Sequence, residues 1–188
     1  MALQLFKIAD VTVATPQTNI EFTSIPSGYT DLKLVISSRS VSTSGKARAI
    51  RLEFNGNTTY SNYSQRFLGT NDAGSPTSSS SSSGSGIPFY LYGIPTANAT
   101  TNTFGNAEVY IPNYTGSNNK SFSADAVAES NHSALDGGTA YNGLVAGLFS
   151  QTGAITSIKM YPDNSTNFEA NSTATLYGIL WGIIDKCP

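Results

Sequence analysis

His132 is the single histidine of the chain and lies in "SNHSALDGG", between Ser130, Ser133 and Asp136. A hydroxyl nucleophile, an imidazole base and an orienting carboxylate are the groups that acyl transfer requires. No Gly-x-Ser-x-Gly elbow presents the hydroxyl here, so a solvated loop histidine is the expectation. Asp125 and Glu129 form the nearest carboxylate pair. On a regular strand they share one face about 13 Å apart, at about 3.3 Å per residue, wider than the roughly 6.5–9.5 Å used by inverting glycosidases. Asp163, Asn164 and Ser165 offer oxygen ligands to a hard cation, but the spaced acidic pattern and closing Glu of an EF-hand are missing, and an Asx turn is expected. One histidine and one cysteine, Cys187, leave no zinc cluster of the usual kind and no intrachain disulfide. No glycine-rich phosphate cradle leads from a strand into a helix. The expectation is a chain without catalytic residues, cofactor or metal.

Recognition chemistry is represented more fully. Arg39, Lys46, Arg48, Arg51 and Arg66 could make one positive face suited to an acidic partner surface if their strands are neighbours, but scattered solubilising charges are the favoured reading. Tyr114, Asn118 and Asn119, in "YIPNYTGSNNKS", bring an aromatic ring and amides together, groups that stack on sugars and hydrogen-bond to them. A turn explains every residue type in that stretch except the aromatic one.

These residues have to be positioned by strands. Only 12% of the residues are charged, while Ser, Thr, Asn and Gly are abundant beside 10 Tyr and 9 Phe, a mixture that suits pleated surfaces joined by tight turns. Alternation recurs along the chain. Leu32, Leu34 and Ile36 oppose Lys33, Val35 and Ser37, and Ile50, Leu52 and Phe54 oppose Ala49, Arg51 and Glu53. Similar runs occupy 3–13, 20–25, 63–68, 89–94, 104–111, 120–129, 144–149, 154–161 and 173–184. Turn signals such as "PSGYTD", "STSGK", "NGNTT", "DGG" and "PDNSTN" separate them. About ten short strands in 188 residues argue for one all-β domain, a jelly-roll-like antiparallel β sandwich over residues 1–188. "SADAVAESNHSAL" offers the one helical alternative, and its alternating Phe122, Ala124, Ala126 and Ala128 favour a strand.

"GSPTSSSSSSGSG", residues 74–86, cannot supply a core and is expected to leave the sandwich as a flexible excursion. The N-terminus alternates like a strand and lacks the pattern of a signal peptide, so mature sequence from Met1 is expected. The longest apolar run, Leu176 to Ile184, is far below the roughly 20 residues of a membrane helix. With a net charge of −2 there is no electrostatic case for nucleic acid or an acidic membrane surface.

Five segments in order, "FTSIPSGYTDLKLVISSRS", "FNG…YSN", "YIPNYTGSNNKSFSADAVAE", "GLFSQTGAITSI" and "STATLYGI", cover most of the chain and resemble a widespread group of tailed-bacteriophage virion surface proteins. The resemblance implies a non-enzymatic virion component with a jelly-roll-like sandwich, of the kind found among capsid-decoration, head-fibre and tail-fibre proteins. Two features depart from the group: the serine run, and a chain that continues past "STATLYGI" with "LWGIIDKCP". The first expectation is a capsid decoration or cement protein that docks on the major capsid protein or another virion protein and associates with itself, as a trimer. A short chain that enters the domain at once and a contact tail at 180–188 motivate it. There Trp181, Ile183 and Ile184 extend the side of the last strand that carries Tyr177. The candidate contact residues are thus Trp181, Ile183, Ile184, Tyr114, Arg48 and Arg51. The alternative is a receptor- or carbohydrate-binding module of a tail or head fibre. A glycan depolymerase stands last, since its carboxylates do not pair locally.

Overall fold

Period-2 patterning decides the architecture, because each apolar set can be buried only if the strand carrying it lies flat against a second layer. The computed structural model describes residues 2–45, 47–70, 76–81, 89–128 and 142–182. Twelve strands are formed by them: β1 Ala2–Thr12, β2 Ile20–Phe22, β3 Asp31–Ser38, β4 Ala47–Phe54, β5 Tyr63–Thr70, β6 Pro76–Ser81, β7 Phe89–Pro95, β8 Gly105–Ile111, β9 Lys120–Val127, β10 Asn142–Phe149, β11 Ile158–Pro162 and β12 Thr173–Gly182. One sheet has eight strands in the order β1-β12-β3-β8-β9-β10-β5-β6, the other four in the order β2-β11-β4-β7. All pairs are antiparallel. The chain is an all-β antiparallel sandwich, as expected.

Between the sheets lie Leu32, Leu34 and Ile36 of β3, Leu52 and Phe54 of β4, Val109 of β8, Phe122 of β9, Phe149 of β10 and Ile158 and Met160 of β11, all buried. Phe54 is the hub where the layers meet, with its ring centroid 5.7 Å from Phe122 and 5.5 Å from Phe149, both edge to face. Glycine makes room for these rings. Gly147 pairs with Phe122 across β9 and β10, and a Cβ on it would stand 1.9 Å from the Phe122 ring. In β7, Gly93 takes φ 136° at the point where the β4 register shifts, so β7 comes within contact of the β9 backbone at Val127.

Two segments differ from expectation. Within 74–86, Pro76–Ser81 forms strand β6 on the edge of the large sheet, with Leu68 opposite Ser78 and Arg66 opposite Ser80. Backbone groups on β5 supply the ladder, and serine costs a strand little when its side chains meet solvent. The run at 154–161 becomes a strand only from Ile158. Its apolar Ile155 is buried from a loop, with its amide donating to the Tyr114 carbonyl at 3.0 Å. The Asn55 side chain accepts from the Thr156 and Ser157 amides at 2.8 and 3.1 Å, replacing the ladder there.

Candidate functional site

The side chains that point away from the core of the eight-stranded sheet form the broadest candidate surface. Leu3 and Leu5 on β1 stand beside Trp181 and Ile179 on β12, followed by Lys33 on β3, Glu108 and Tyr110 on β8, Ser123 and Asp125 on β9, Leu144 on β10 and Leu68 on β5. Of the eight exposed large apolar residues among those described, six belong to this face: Leu3, Leu5, Leu68, Val127, Leu144 and Trp181. They fall into two groups at its ends. One borders a hollow of about 450 Å³ shared with Lys33, Glu108, Tyr110 and Asp125. The other borders a hollow of about 350 Å³ between β5, β9 and β10. The exposed charges of the face balance: Lys7 pairs with Asp10 at 2.6 Å and Lys33 with Glu108 at 2.7 Å, while Arg66 and Asp125 complete the set.

Asp31 fixes the first hollow. It opens β3 and is 3% exposed. One carboxylate oxygen accepts from the Tyr110 hydroxyl and from the Trp181 indole N–H, both at 2.8 Å, and the other from the Asn113 amide at 2.8 Å. Three donors compensate the burial of the charge. Burial, then the bond to Asp31 and its charge, push the Tyr110 phenol up to about 12. The indole is thereby pinned by its nitrogen while 48% of the residue stays exposed, a rigid aromatic surface anchored from below. In the sequence Asp31 reads as the end of the turn "PSGYTD". The signal that could have found it is its phase: Asp31 lies on the same side as Lys33 and Val35, opposite the Ile179 that precedes Trp181 in the β12 alternation.

The sequence candidates separate accordingly. Trp181 lies on the open face, as a contact residue must, whereas Ile183 and Ile184 lie outside the described residues. Tyr114 is not a surface residue: it is 0% exposed, and its hydroxyl donates to the Pro26 carbonyl. The aromatic that a turn did not require is there to plug the core beneath the loop, and burial pushes its phenol up. Lys120, next in the same stretch, is also buried, with its ammonium donating to the carbonyls of Gly116, Asn118 and Thr152. Desolvation lowers its pKa. The loop 112–119 is therefore held from inside by Lys120 and Tyr114, a structural role and not a recognition surface built on Tyr114.

The five basic residues do not make one face. Arg39 is buried and donates to the carbonyls of Thr100, Thr103 and Ala99 at 2.8, 2.9 and 3.2 Å, with its Nε 2.7 Å from Glu169. Arg48 and Arg51 both lie on β4 near Asp163, whose carboxyl is pushed up by burial against the opposing pull of the two guanidinium groups. Arg66 is on the other sheet, and Lys46 lies outside the described residues. Asn164 and Ser165 take left-handed φ of 58° and 54° as turn residues, and the neighbouring arginines make this a poor seat for a cation. Among the described residues no group of three or more His, Cys, Asp or Glu side chains is placed to hold a metal. The segment holding His132, Ser130, Ser133, Asp136 and Glu129 lies outside the described residues.

No family model matches the chain. No curated protein matches it either. Among solved structures, a functionally unknown protein from Saccharomyces cerevisiae is similar over 81% of this chain and 72% of its own, at 10% identity and a TM-score of 0.27, too distant to bear on fold or function.

Proposed function

We propose that this protein is a non-enzymatic bacteriophage virion structural protein, a capsid decoration protein that docks on the head shell through the outer face of its eight-stranded sheet and associates with copies of itself. The observation that carries the reading is the concentration of exposed apolar side chains on that face, where six of the eight among the described residues lie, with Trp181 held rigid by Asp31. Apolar surface gathered in two patches on one face marks an interface when the rest of the protein is as polar as this one. The balanced charges of the face disfavour docking by long-range attraction and favour short-range complementarity. The five ordered sequence segments supply the link to tailed-phage virion surfaces.

Two substitutions test it. Leu68→Asp with Leu144→Asp places charges at one apolar end of the face without touching the core. The expected outcome is loss of co-sedimentation with phage heads lacking this protein, and a lighter species in sedimentation velocity, with an unchanged circular dichroism spectrum. Undiminished binding to heads would refute the docking face.

A further inference from the structure

The opposite surface of the sandwich, the outer face of the four-stranded sheet, has a cavity of its own. Its volume is about 400 Å³, within the roughly 300–1,000 Å³ of small-molecule sites, and its walls include Asn19, Glu53, Lys159, Tyr161, Pro162 and Thr166. Lys159 on β11 stands in register between Glu53 on β4 and Glu21 on β2, yet it forms no ion pair with either. Its ammonium lies 6.0 Å from the centroid of the Tyr161 ring instead.

Glu53 is the unusual member. It is 7% exposed, and among the described residues no donor or cation reaches its carboxylate. Its oxygens meet solvent through the cavity and not through protein donors. A ligand entering the cavity replaces that water as their donor. Within the cavity wall the Glu53 carboxylate and the Lys159 ammonium balance, so neither a cation nor an anion is favoured. A neutral ligand with adjacent hydroxyls and an apolar ring face satisfies all of these groups.

We propose that this cavity binds a neutral saccharide unit. Glu53 accepts hydrogen bonds from two adjacent hydroxyls, the Tyr161 and Pro162 rings lie against the sugar's apolar face, and Lys159 and Asn19 donate to its remaining oxygens. The site lies on the other sheet from the proposed docking face, so the free protein tests it whatever covers the large sheet.

The experiment is a titration of the full chain, followed by amide NMR, with the methyl glycosides of glucose, galactose, mannose and rhamnose, and with spermidine and sulfate as charged probes. At least one glycoside is expected to shift the amides of 159–166 with millimolar affinity that is insensitive to salt. Glu53→Gln keeps the shape but halves the acceptor oxygens, and is expected to weaken binding about tenfold. Asn19→Ala, at the rim, weakens it less and guards against a folding defect in the first variant. The proposal is overturned if no glycoside shifts these amides, if Glu53→Gln binds as well as the parent protein, or if spermidine or sulfate binds there more tightly than every glycoside.

Discussion

Asp31, Tyr114 and Lys120 show how polar atoms inside this sandwich are used to hold loops. Asp31→Ala leaves the Asn113 amide, the Tyr110 hydroxyl and the Trp181 indole without an acceptor, and is expected to cost about 3 kcal/mol in urea unfolding. Tyr114→Phe removes only the bond to Pro26 and is expected to cost about 1 kcal/mol, whereas Tyr114→Ala empties a core position at about 3–5 kcal/mol. Alkali should act through the same groups. The Tyr110 phenol titrates at about 12 in the fold against about 10 in an unfolded chain, so between these values the unfolded state binds fewer protons and stability falls as pH rises. Tyr63, Tyr114 and Tyr161, also raised by burial, act in the same direction. Lys120, lowered by burial, acts in the other, since its penalty lifts as it loses its proton. Lys7, raised by its bond to Asp10, joins the four tyrosines, so five groups oppose one; the urea midpoint is expected to fall above about pH 10, and Tyr110→Phe should make that fall shallower. Of these roles the sequence betrayed little. Tyr114 stood out as an aromatic a turn did not need, but an aromatic in a polar loop reads as a recognition group until its burial is known. Asp31 read as a turn residue because its three donors come from positions 79 to 150 residues away.

Strands were the most legible feature, because a period of two on a half-buried surface is imposed by geometry at every residue. The alternation in 32–37 and 49–54 corresponds to β3 and β4 with the expected inward residues. Where packing came from tertiary partners the sequence misled. Ile155 looked like the start of a strand, and it is an apolar residue that a loop lowers into the core. The serine run looked shapeless, and its backbone alone suffices to pair Pro76–Ser81 with β5. Glu53 lay in phase with Arg51 as a solvent-facing residue, and nothing local foretold its burial at a cavity wall. At this level the clearest expectation concerns Gly147: an added methyl meets the Phe122 ring, so Gly147→Ala should cost about 1–3 kcal/mol through overpacking. Pairing it with Phe122→Leu, which vacates part of that space, should recover part of the loss in the same unfolding measurement.

The two sheets divide the surface into unlike halves. The eight-stranded face carries the apolar ends and balanced charges proposed for docking, and the four-stranded face carries the cavity with Glu53 and Tyr161. Such a division suits a protein that lies on a larger body and turns its other side outward. The sandwich itself was legible in composition and turn spacing, but which face would be left apolar was not, because Leu3, Leu68 and Leu144 alternate with their neighbours as any strand residues do. Trp181 alone pointed that way, as an aromatic in phase with Tyr177 beyond the segment that resembles phage proteins. Electron cryo-microscopy of the virion that carries this protein, at side-chain detail, tests the account most directly. It should show the sandwich seated on the head shell with Leu3, Leu68, Leu144 and Trp181 covered and the four-stranded sheet facing solvent. The account is contradicted if the protein is missing from the particle, or if it is present with the eight-stranded face bare and the four-stranded sheet against its neighbour.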